Sequence, residues 1–311
     1  MRILCLVFTV LVWSGLCLSP GAAEPLQRPN GQAIDDRVTV DRNAVVFLGH
    51  CSGTMITDLV ILTAAHCVPQ KLRAARPAED TAQHCTALPQ QHELQGNAWE
   101  DPMEWQLIPI DKTFAVALGG ERNDPRQVIN IRAYSIARCA DIALLQIVRR
   151  APPALVTPMK VLTGLPPDAD GMDTLLLSAP LRYAGWGLGK RKPDELPRRQ
   201  TGRVSYWDRN DCLLFTLPPE RANGDRIVKG DSGSPLIMTF QDTVFVAGVL
   251  FGSGLPDADI CGRPVLRVPK RHGAYTPTFR RALPGTDATD IAAWIAHFAP
   301  EAVWPQVSPA G

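Results

Sequence analysis

The sequence predicts an all-β fold in two halves, followed by one C-terminal helix. Short segments rich in Val, Ile and Phe recur along the chain and are separated by glycines and prolines, which is the pattern of many short strands. Long stretches with the apolar period of a helix are scarce. Ala151-Pro152-Pro153 and Pro158 mark the connection between the halves.

The predicted elements follow from this pattern in chain order. In the first half, the predicted strands are 38–40, 45–48, 60–62, 114–118, 128–136 and 142–148. In the second half, they are 174–177, 202–206, 237–240 and 244–251. The helix is predicted from Asp290 onward, and Asp287 or Thr289 can cap its start. Its apolar stripe, which we expect to pack on the second half, contains Ile291, Trp294, Ile295 and Phe298.

Residues 1–23 have the features of a secretory signal. Arg2 provides a positive start, 3–18 form an apolar run, and Gly21-Ala22-Ala23 offers small residues for cleavage. The run is short for a membrane anchor, so cleavage is favoured over an uncleaved anchor. No later segment is long and apolar enough to span a membrane, so we expect no stable membrane association after cleavage.

The rest of the chain divides into three parts. Residues 24–37 are polar and proline-rich and form either a short propeptide or an N-terminal arm, 38–150 form the first half, and 151–311 form the second half with the helix. A long insertion, 68–112, has little strand character. Its histidines and Cys85 match no familiar ligand spacing, so we predict a disulfide-tethered surface loop rather than a metal site.

Composition constrains the compartment and the partners. The 311 residues, of which 45% are hydrophobic, are enough for one large β domain or two small ones. A formal net charge of +1 gives no indication of a nucleic-acid partner. An even number of cysteines after the signal predicts three disulfides in an oxidising compartment, either secreted or periplasmic. These cysteines are Cys51, Cys67, Cys85, Cys139, Cys212 and Cys261.

A tight turn carries the first candidate for catalytic chemistry. Gly230-Asp231-Ser232-Gly233-Ser234-Pro235 follows a loop of turn-forming residues and precedes the apolar run 236–238. The glycines on both sides of Ser232 let the backbone bend and let another molecule approach closely. Successive N–H groups in such a turn can converge on a substrate oxygen that develops negative charge. A plain Gly/Ser turn is the alternative, and other motifs must decide between them.

An activated serine needs a base, and the base needs an orienting group. His66 lies in Thr63-Ala64-Ala65-His66-Cys67 after a predicted strand, and its small neighbours allow the imidazole to face a cleft. Asp141 lies at the mouth of the strongly apolar segment 142–148. A buried carboxylate there needs a partner such as the N–H of a histidine ring, and the carboxylate would fix the tautomer of that ring.

In this order, Thr-Ala-Ala-His-Cys, Asp-Ile-Ala-Leu-Leu and Gly-Asp-Ser-Gly-Ser-Pro resemble the motifs of chymotrypsin/trypsin-type serine endopeptidases. The resemblance covers about residues 35–299 and includes Gly185-Trp186-Gly187 and Ala293-Trp294-Ile295. It implies a chymotrypsin-like fold of two packed six-stranded β-barrels with the cleft between them, and no metal or cofactor. It also implies the mechanism associated with this family, which is that of the Ser-His-Asp triad.

The resemblance implies a role for each motif residue. His66 is the general base, Asp141 orients it, Ser232 is the nucleophile, and the N–H groups of Gly230 and Ser232 form the oxyanion hole. The spacing from Cys51 to Cys67 equals that of the family's bridge around its histidine. Beyond that pair, the disulfide pairing stays open, with Cys85–Cys139 and Cys212–Cys261 as the pairs to test.

The resemblance also implies the substrate-binding residues. Phe251 and Gly252 lie in a segment similar to the strand that pairs with substrate, and Gly273 lies in one similar to the pocket wall. Arg226, six residues before Ser232, corresponds to the pocket base and favours an acidic side chain, whereas a slip to Asp225 reverses that preference. The alternative is that Arg226 is a solvated charge of the loop.

Some features are closer to one branch of the family. Three features resemble the bacterial secreted branch of glutamyl endopeptidases: Asp35-Asp36-Arg37, Cys51-Ser52-Gly53-Thr54, and Ser234, which replaces a common glycine. The pocket histidine of that branch is replaced here by Leu250, and Val228 replaces a cysteine of the wider family. In the family, a new N-terminal ammonium pairs with the aspartate that corresponds to Asp231. A cut within 24–37 would supply that ammonium here, but no Ile-Val-Gly-Gly sequence marks its position.

The sequence therefore predicts a monomeric, secreted or periplasmic endopeptidase that acts on polypeptide substrates. A catalytically inactive binding protein on the same fold is the main alternative, although such proteins usually lack one of the site residues that this chain retains. An esterase-type hydrolase is disfavoured, because the order His, Asp, Ser and the surroundings of Ser232 do not match its Gly-x-Ser-x-Gly turn.

Overall fold

The computed structural model of the protein describes eleven ranges of the chain after residue 42. These are residues 43–72, 107–110, 113–119, 125–138, 140–166, 169–187, 200–210, 212–217, 227–253, 272–282 and 288–305. The predicted signal, the N-terminal arm and the strand 38–40 lie outside these ranges, as does most of the insertion 68–112. Within the described ranges, no helix is long and apolar enough to cross a membrane.

The first half forms a closed antiparallel barrel. Its strands are β1 (Val45–Phe47), β2 (Ser52–Met55), β3 (Val60–Thr63), β4 (Ile108–Pro109), β5 (Ala115–Leu118), β6 (Gln127–Ile136) and β7 (Ala143–Ile147). Six of them pair in the order β6-β5-β1-β2-β3-β7, and β7 pairs back to β6, so the barrel core has no unpaired edge. The short strand β4 pairs with β6.

The second half forms a similar barrel. Its strands are β8 (Lys160–Leu162), β9 (Leu181–Gly185), β10 (Gln200–Arg209), β11 (Leu214–Leu217), β12 (Pro235–Phe240), β13 (Thr243–Ser253), β14 (Gly273–Pro277) and β15 (Val303–Trp304). Six of them pair in the order β12-β9-β10-β11-β14-β13, and β12 pairs with β13 to close the barrel. The other two extend the sheet with parallel pairing: β8 pairs with β13, and β15 pairs with β8. The predicted fold class is confirmed.

The predicted strand 174–177 is wrong, because these residues belong to helix α1 (Met172–Ser178). A run of three leucines after a threonine carries no period that distinguishes a strand from a buried helical turn. In the structure, Leu175 and Leu176 are buried while Leu177 is exposed. The helix is tied to β10 through Asp173, which accepts hydrogen bonds from the side chains of Tyr206 and Arg209.

The predicted C-terminal helix is confirmed as α2 (Ile291–Phe298). Its N-cap is Asp290, whose carboxylate accepts the N–H of Ala293 at 2.9 Å. Thr289, one of the two predicted caps, instead accepts the N–H of Arg138 through its hydroxyl, and Asp287 lies outside the described residues. The helix also reaches the first barrel, because the indole N–H of Trp294 donates to Ser135 on β6.

The Cys51–Cys67 disulfide implied by the resemblance is confirmed, and it joins residues 16 apart in sequence. Cys212 is also in a disulfide. Cys85, Cys139 and Cys261 lie outside the described residues, so the partner of Cys212 and the remaining pairing stay a prediction.

Replacing both Cys51 and Cys67 with alanine should lower the free energy of unfolding by about 3 kcal/mol, since a bridge across a loop of this length restricts the unfolded chain by about that amount. Urea unfolding of the double variant and the native protein measures the difference. The native protein with its disulfides intact is the reference, and an unchanged unfolding midpoint would contradict the expectation.

Candidate active site

Strand pairing brings His66 and Asp141 together. Strands β3 and β7 are antiparallel neighbours, and their last pair is Thr63 opposite Ala143. His66 lies just past the end of β3, in a short 3-10 turn (Ala65–Cys67), and Asp141 lies just before the start of β7. The end of one strand therefore meets the beginning of the other, although the two residues are 75 positions apart.

The His66–Asp141 pair has the geometry of an oriented base. Nδ1 of the imidazole lies 2.6 Å from Oδ2 of the carboxylate, and the backbone N–H of His66 donates to Oδ1 at 2.9 Å. An ionised carboxylate only accepts hydrogen bonds, so Nδ1 carries the proton and Nε2 is left to accept one. The Asp141 side chain is fully buried, whereas 28% of the His66 side chain is exposed.

The turn that carries Ser232 is docked on the first barrel through Ser52. The N–H of Ser52 donates to the carbonyl of Ser232 at 2.8 Å, and its hydroxyl donates to the carbonyl of Gly230 at 3.0 Å. The carbonyl of Ser52 accepts the hydroxyl of Thr63 at 2.7 Å. Thr63 ends the strand that leads to His66, so Ser52 connects the serine turn with the histidine turn.

Glycine is required at two positions of the serine turn. Gly230 has a φ of 100° and Gly233 has a φ of 81°, in the region that side chains other than glycine rarely adopt. A Cβ at Gly233 would lie less than 3.0 Å from the Ser52 carbonyl and the Thr63 hydroxyl. The turn can therefore approach β2 and β3 this closely only with glycine after Ser232.

Asp231 is a fully buried carboxylate within this turn. It accepts the N–H of Gly187 at 2.7 Å and the N–H of Val228 at 2.9 Å. Burial raises the pKa of the Asp231 carboxyl from 3.8 to about 6, and the two backbone hydrogen bonds oppose that rise. The carboxylate thus connects the serine turn with the Gly185-Trp186-Gly187 segment.

The predicted substrate-binding residues lie on two paired strands where these are described. Gly252 on β13 pairs with Ala274 on β14, and Ser253 pairs with Gly273. A side chain at Gly252 would enter open space, whereas one at Gly273 would meet Cδ1 of Ile227 at 2.6 Å. Phe251 and Gly252 are half-buried, and Gly273 is buried. Arg226 lies outside the described residues, so its place in the site stays a prediction.

No role was predicted for Ser52, which contacts the serine turn, or for His50, whose ring is influenced by the charge of His66. Desolvation and the charge of His66 both lower the pKa of His50, which places that imidazole within the electrostatic field of the site. Its position next to Cys51, which is bridged to the neighbour of His66, was an available signal. Ser52 lies in Cys51-Ser52-Gly53-Thr54, a segment that resembles the glutamyl-endopeptidase branch, but that resemblance predicted no contact for Ser52.

A cluster of potential metal ligands at this place has another explanation. Ligand atoms of Cys51, His66 and Cys67 lie within 4.8 Å of one another. The two cysteines are joined in a disulfide, however, so neither has the thiolate with which cysteine binds a metal. Their proximity to His66 follows from the bridge that anchors the histidine turn.

Comparison with known proteins identifies similar chains. The family model described as Trypsin matches residues 35–264, which include His66, Asp141 and Ser232 and amount to well over half of the chain. Among solved structures, the chain is similar to neuropsin, a serine protease expressed in the limbic system of mouse brain, with 17% sequence identity and a TM-score of 0.46. That match covers 78% of this chain and 92% of the other.

Replacing Gly233 with alanine should lower the free energy of unfolding by about 3 kcal/mol or more, because backbone strain and overpacking each cost on the order of 1 to 3 kcal/mol. Two control substitutions separate these effects. Gly49 has a φ of 86° but nothing near its absent side chain, so Gly49→Ala tests strain alone, and Gly252→Ala should be nearly neutral. Urea unfolding measures the loss of unfolding free energy in each variant. Equal losses for Gly233→Ala and Gly49→Ala would exclude a contribution from crowding against Ser52 and Thr63.

Protonation of Asp231 should stabilise the folded protein. Its folded pKa of about 6 lies above the unfolded value of 3.8, so the folded state holds the proton more tightly, and this group's contribution to stability falls as the pH rises from about 4 to about 6. Asp231→Asn removes that titration. The unfolding free energy of the native protein relative to the variant should therefore be greater at pH 4 than at pH 7, and an equal difference at both values would contradict the raised pKa.

Proposed function

Because the chain belongs to the trypsin family of serine proteases, we propose that it is an endopeptidase whose catalytic triad is Ser232, His66 and Asp141. The observation that carries the proposal is the hydrogen bond of 2.6 Å between Nδ1 of His66 and the buried Asp141 carboxylate. It leaves Nε2 as the proton acceptor of an imidazole that is partly exposed. The docking of the serine turn on Ser52, next to the histidine turn, supports the same assignment.

The proposed mechanism has two half-reactions, and in each of them His66 first takes a proton and then returns it. Oγ of Ser232 attacks the carbonyl carbon of the substrate while Nε2 of His66 takes the hydroxyl proton, and Asp141 stabilises the resulting imidazolium. The N–H groups of Gly230 and Ser232 hold the oxyanion. His66 then donates the proton to the leaving amine, and an acyl-enzyme remains. Water releases the acyl group by the same steps, with His66 again as the base.

The proposed substrates are polypeptides that lie along the partly exposed end of β13, at residues 251–253. The open space at Gly252 suits the approach of an extended chain. An acidic residue before the cleaved bond is proposed on the basis of Arg226, as in the glutamyl-endopeptidase branch, whereas Asp225 at that place would select a basic residue. Leu250, where that branch has a histidine, is fully buried and offers no polar group.

The proposed location is outside the cytoplasm, either secreted or in the periplasm, and the proposed active form is a monomer. The features of a secretory signal in residues 1–23 and the Cys51–Cys67 disulfide support export, because such bridges persist in oxidising compartments. The catalytically inactive binding protein is the weaker proposal, since the chain retains all three triad residues and an acid–base pair in hydrogen-bonding contact.

A fluorophosphonate probe should label the exported protein on one residue, and Ser232→Ala should abolish the labelling, since the probe reacts only with an activated serine hydroxyl. Ser234→Ala is the matched control: it removes a buried hydroxyl two residues away and should retain labelling. Peptide mapping locates the modified residue. Labelling that persists in Ser232→Ala, or no labelling of the native protein, would refute the assignment.

A peptide library then tests the residue preference. With active protein, cleavage after Glu or Asp supports the role of Arg226, and cleavage after Lys or Arg supports Asp225. Substitution of either residue with alanine should remove the corresponding preference, while labelling by the fluorophosphonate stays intact. A preference that neither substitution changes would exclude both residues from the pocket.

A further inference from the structure

We propose that three residues of the second half, Thr276 on β14, Arg280 just after that strand and Thr289 just before helix α2, are positioning residues that hold Asp141 in place beside His66. All three are buried, and none belongs to the triad. The inference rests on the proposed function, because it concerns the same acid–base pair. Its physical basis is a set of hydrogen bonds to the segment that carries Asp141.

The first contact is made to Asp141 itself. The hydroxyl of Thr276 donates to the backbone carbonyl of Asp141 at 3.3 Å, in a buried environment. The Asp141 carboxylate is already bound to the ring and backbone of His66. Asp141 is therefore held at both ends, by the first barrel through its side chain and by a strand of the second barrel through its main chain.

The second contact holds the chain just before Asp141. The N–H of Arg138 donates to the hydroxyl of Thr289 at 2.7 Å, and the N–H of Thr289 donates to the carbonyl of Arg138 at 3.2 Å. This reciprocal pair joins the segment before Asp141 to the residue that precedes the helix cap. It also explains why Thr289 does not cap α2, although its residue type is well suited to do so.

The third contact comes from a buried guanidinium. Nη2 of Arg280 donates to the carbonyls of Arg138 and Thr289 at 3.4 Å and 3.3 Å, and so spans the reciprocal pair. The carbonyl of Arg280 in turn accepts the N–H of Ile291 in the first turn of α2. Burial lowers the pKa of the guanidinium to about 10, and a buried charge of this kind needs such partners.

These contacts have one consequence for the chemistry. The second barrel also supplies the turn that carries Ser232. Through Thr276, Arg280 and Thr289, the same barrel therefore holds both the proposed nucleophile and the Asp141 carboxylate that orients the base. Loss of these contacts would let Arg138 and Asp141 shift without breaking either barrel. A misplaced carboxylate orients the imidazole poorly and stabilises its cation less, and a displacement of about 1 Å far from the reacting atoms can cost up to about 100-fold in rate.

The test compares three threonine-to-valine variants of the exported protein. Thr276→Val and Thr289→Val remove one hydroxyl each at nearly constant volume, and Thr276→Ser and Thr289→Ser restore it. Thr278→Val is the matched control, because that buried hydroxyl donates to the carbonyls of Leu162 and Val246 in the second barrel and not to the Asp141 segment. Thermal unfolding of each variant measures the purely structural cost.

We expect Thr276→Val and Thr289→Val to lower kcat by about tenfold with KM within about twofold, since only the acid–base geometry changes. The serine variants should regain most of the rate, and Thr278→Val should lose thermal stability without losing kcat. The proposal is overturned if Thr276→Val and Thr289→Val retain the native kcat, or if Thr278→Val loses as much rate as they do.

A second measurement does not depend on activity. The His66 ring is titrated by NMR in the native protein and in each variant, with His50→Gln in the background so that the neighbouring imidazole does not contribute. A less well held carboxylate favours the imidazolium less, so the titration midpoint of His66 should move to lower pH in Thr276→Val and Thr289→Val and not in Thr278→Val. Unchanged midpoints would exclude the positioning role, whereas absent fluorophosphonate labelling with shifted midpoints would exclude only the proposed activity.

Discussion

The hydrogen bond between the His66 imidazole and the buried Asp141 carboxylate is the constraint on which the site depends. A carboxylate removed from water must be satisfied within the protein, and here both oxygens accept from a single residue. The pairing of Thr63 with Ala143 brings the ends of β3 and β7 together and thereby sets this contact. The register of the first barrel therefore determines where a base can be oriented.

The second barrel meets this pair through a small number of buried polar contacts. Ser52 contacts Ser232 and Gly230 on one side and Thr63 on the other, and its hydroxyl also accepts the N–H of Trp186. Because a buried hydrogen bond is costly to break and strongly directional, these contacts define the distance between the serine turn and the histidine turn. Glycine at position 233 permits this close approach, because a side chain there would collide with Ser52 and Thr63.

Several elements were predictable because their cause is local. The strands around 60–63 and 143–147 contain continuous apolar residues, and helix α2 has an apolar stripe at helical spacing, so burial alone leaves a pattern in the sequence. The segment 174–177 lacked such a pattern and was mistaken for a strand. Strand β2 (Ser52–Met55) was missed because three of its four buried residues are Ser, Gly and Thr, so its burial leaves no apolar run in the sequence.

By itself, the sequence determined the residue types and the order of the chemistry: His66, Asp141, Ser232 and the glycines that flank the serine. Only the tertiary structure decided which other residues hold them, namely Ser52 on one side and the Thr276, Arg280 and Thr289 contacts on the other. The bond from Ser52 to Gly230 spans 178 positions, and that from Thr276 to Asp141 spans 135. Single hydrogen bonds between such distant residues leave no periodic signal, because periodicity records which face of an element is buried and not which atom it meets there.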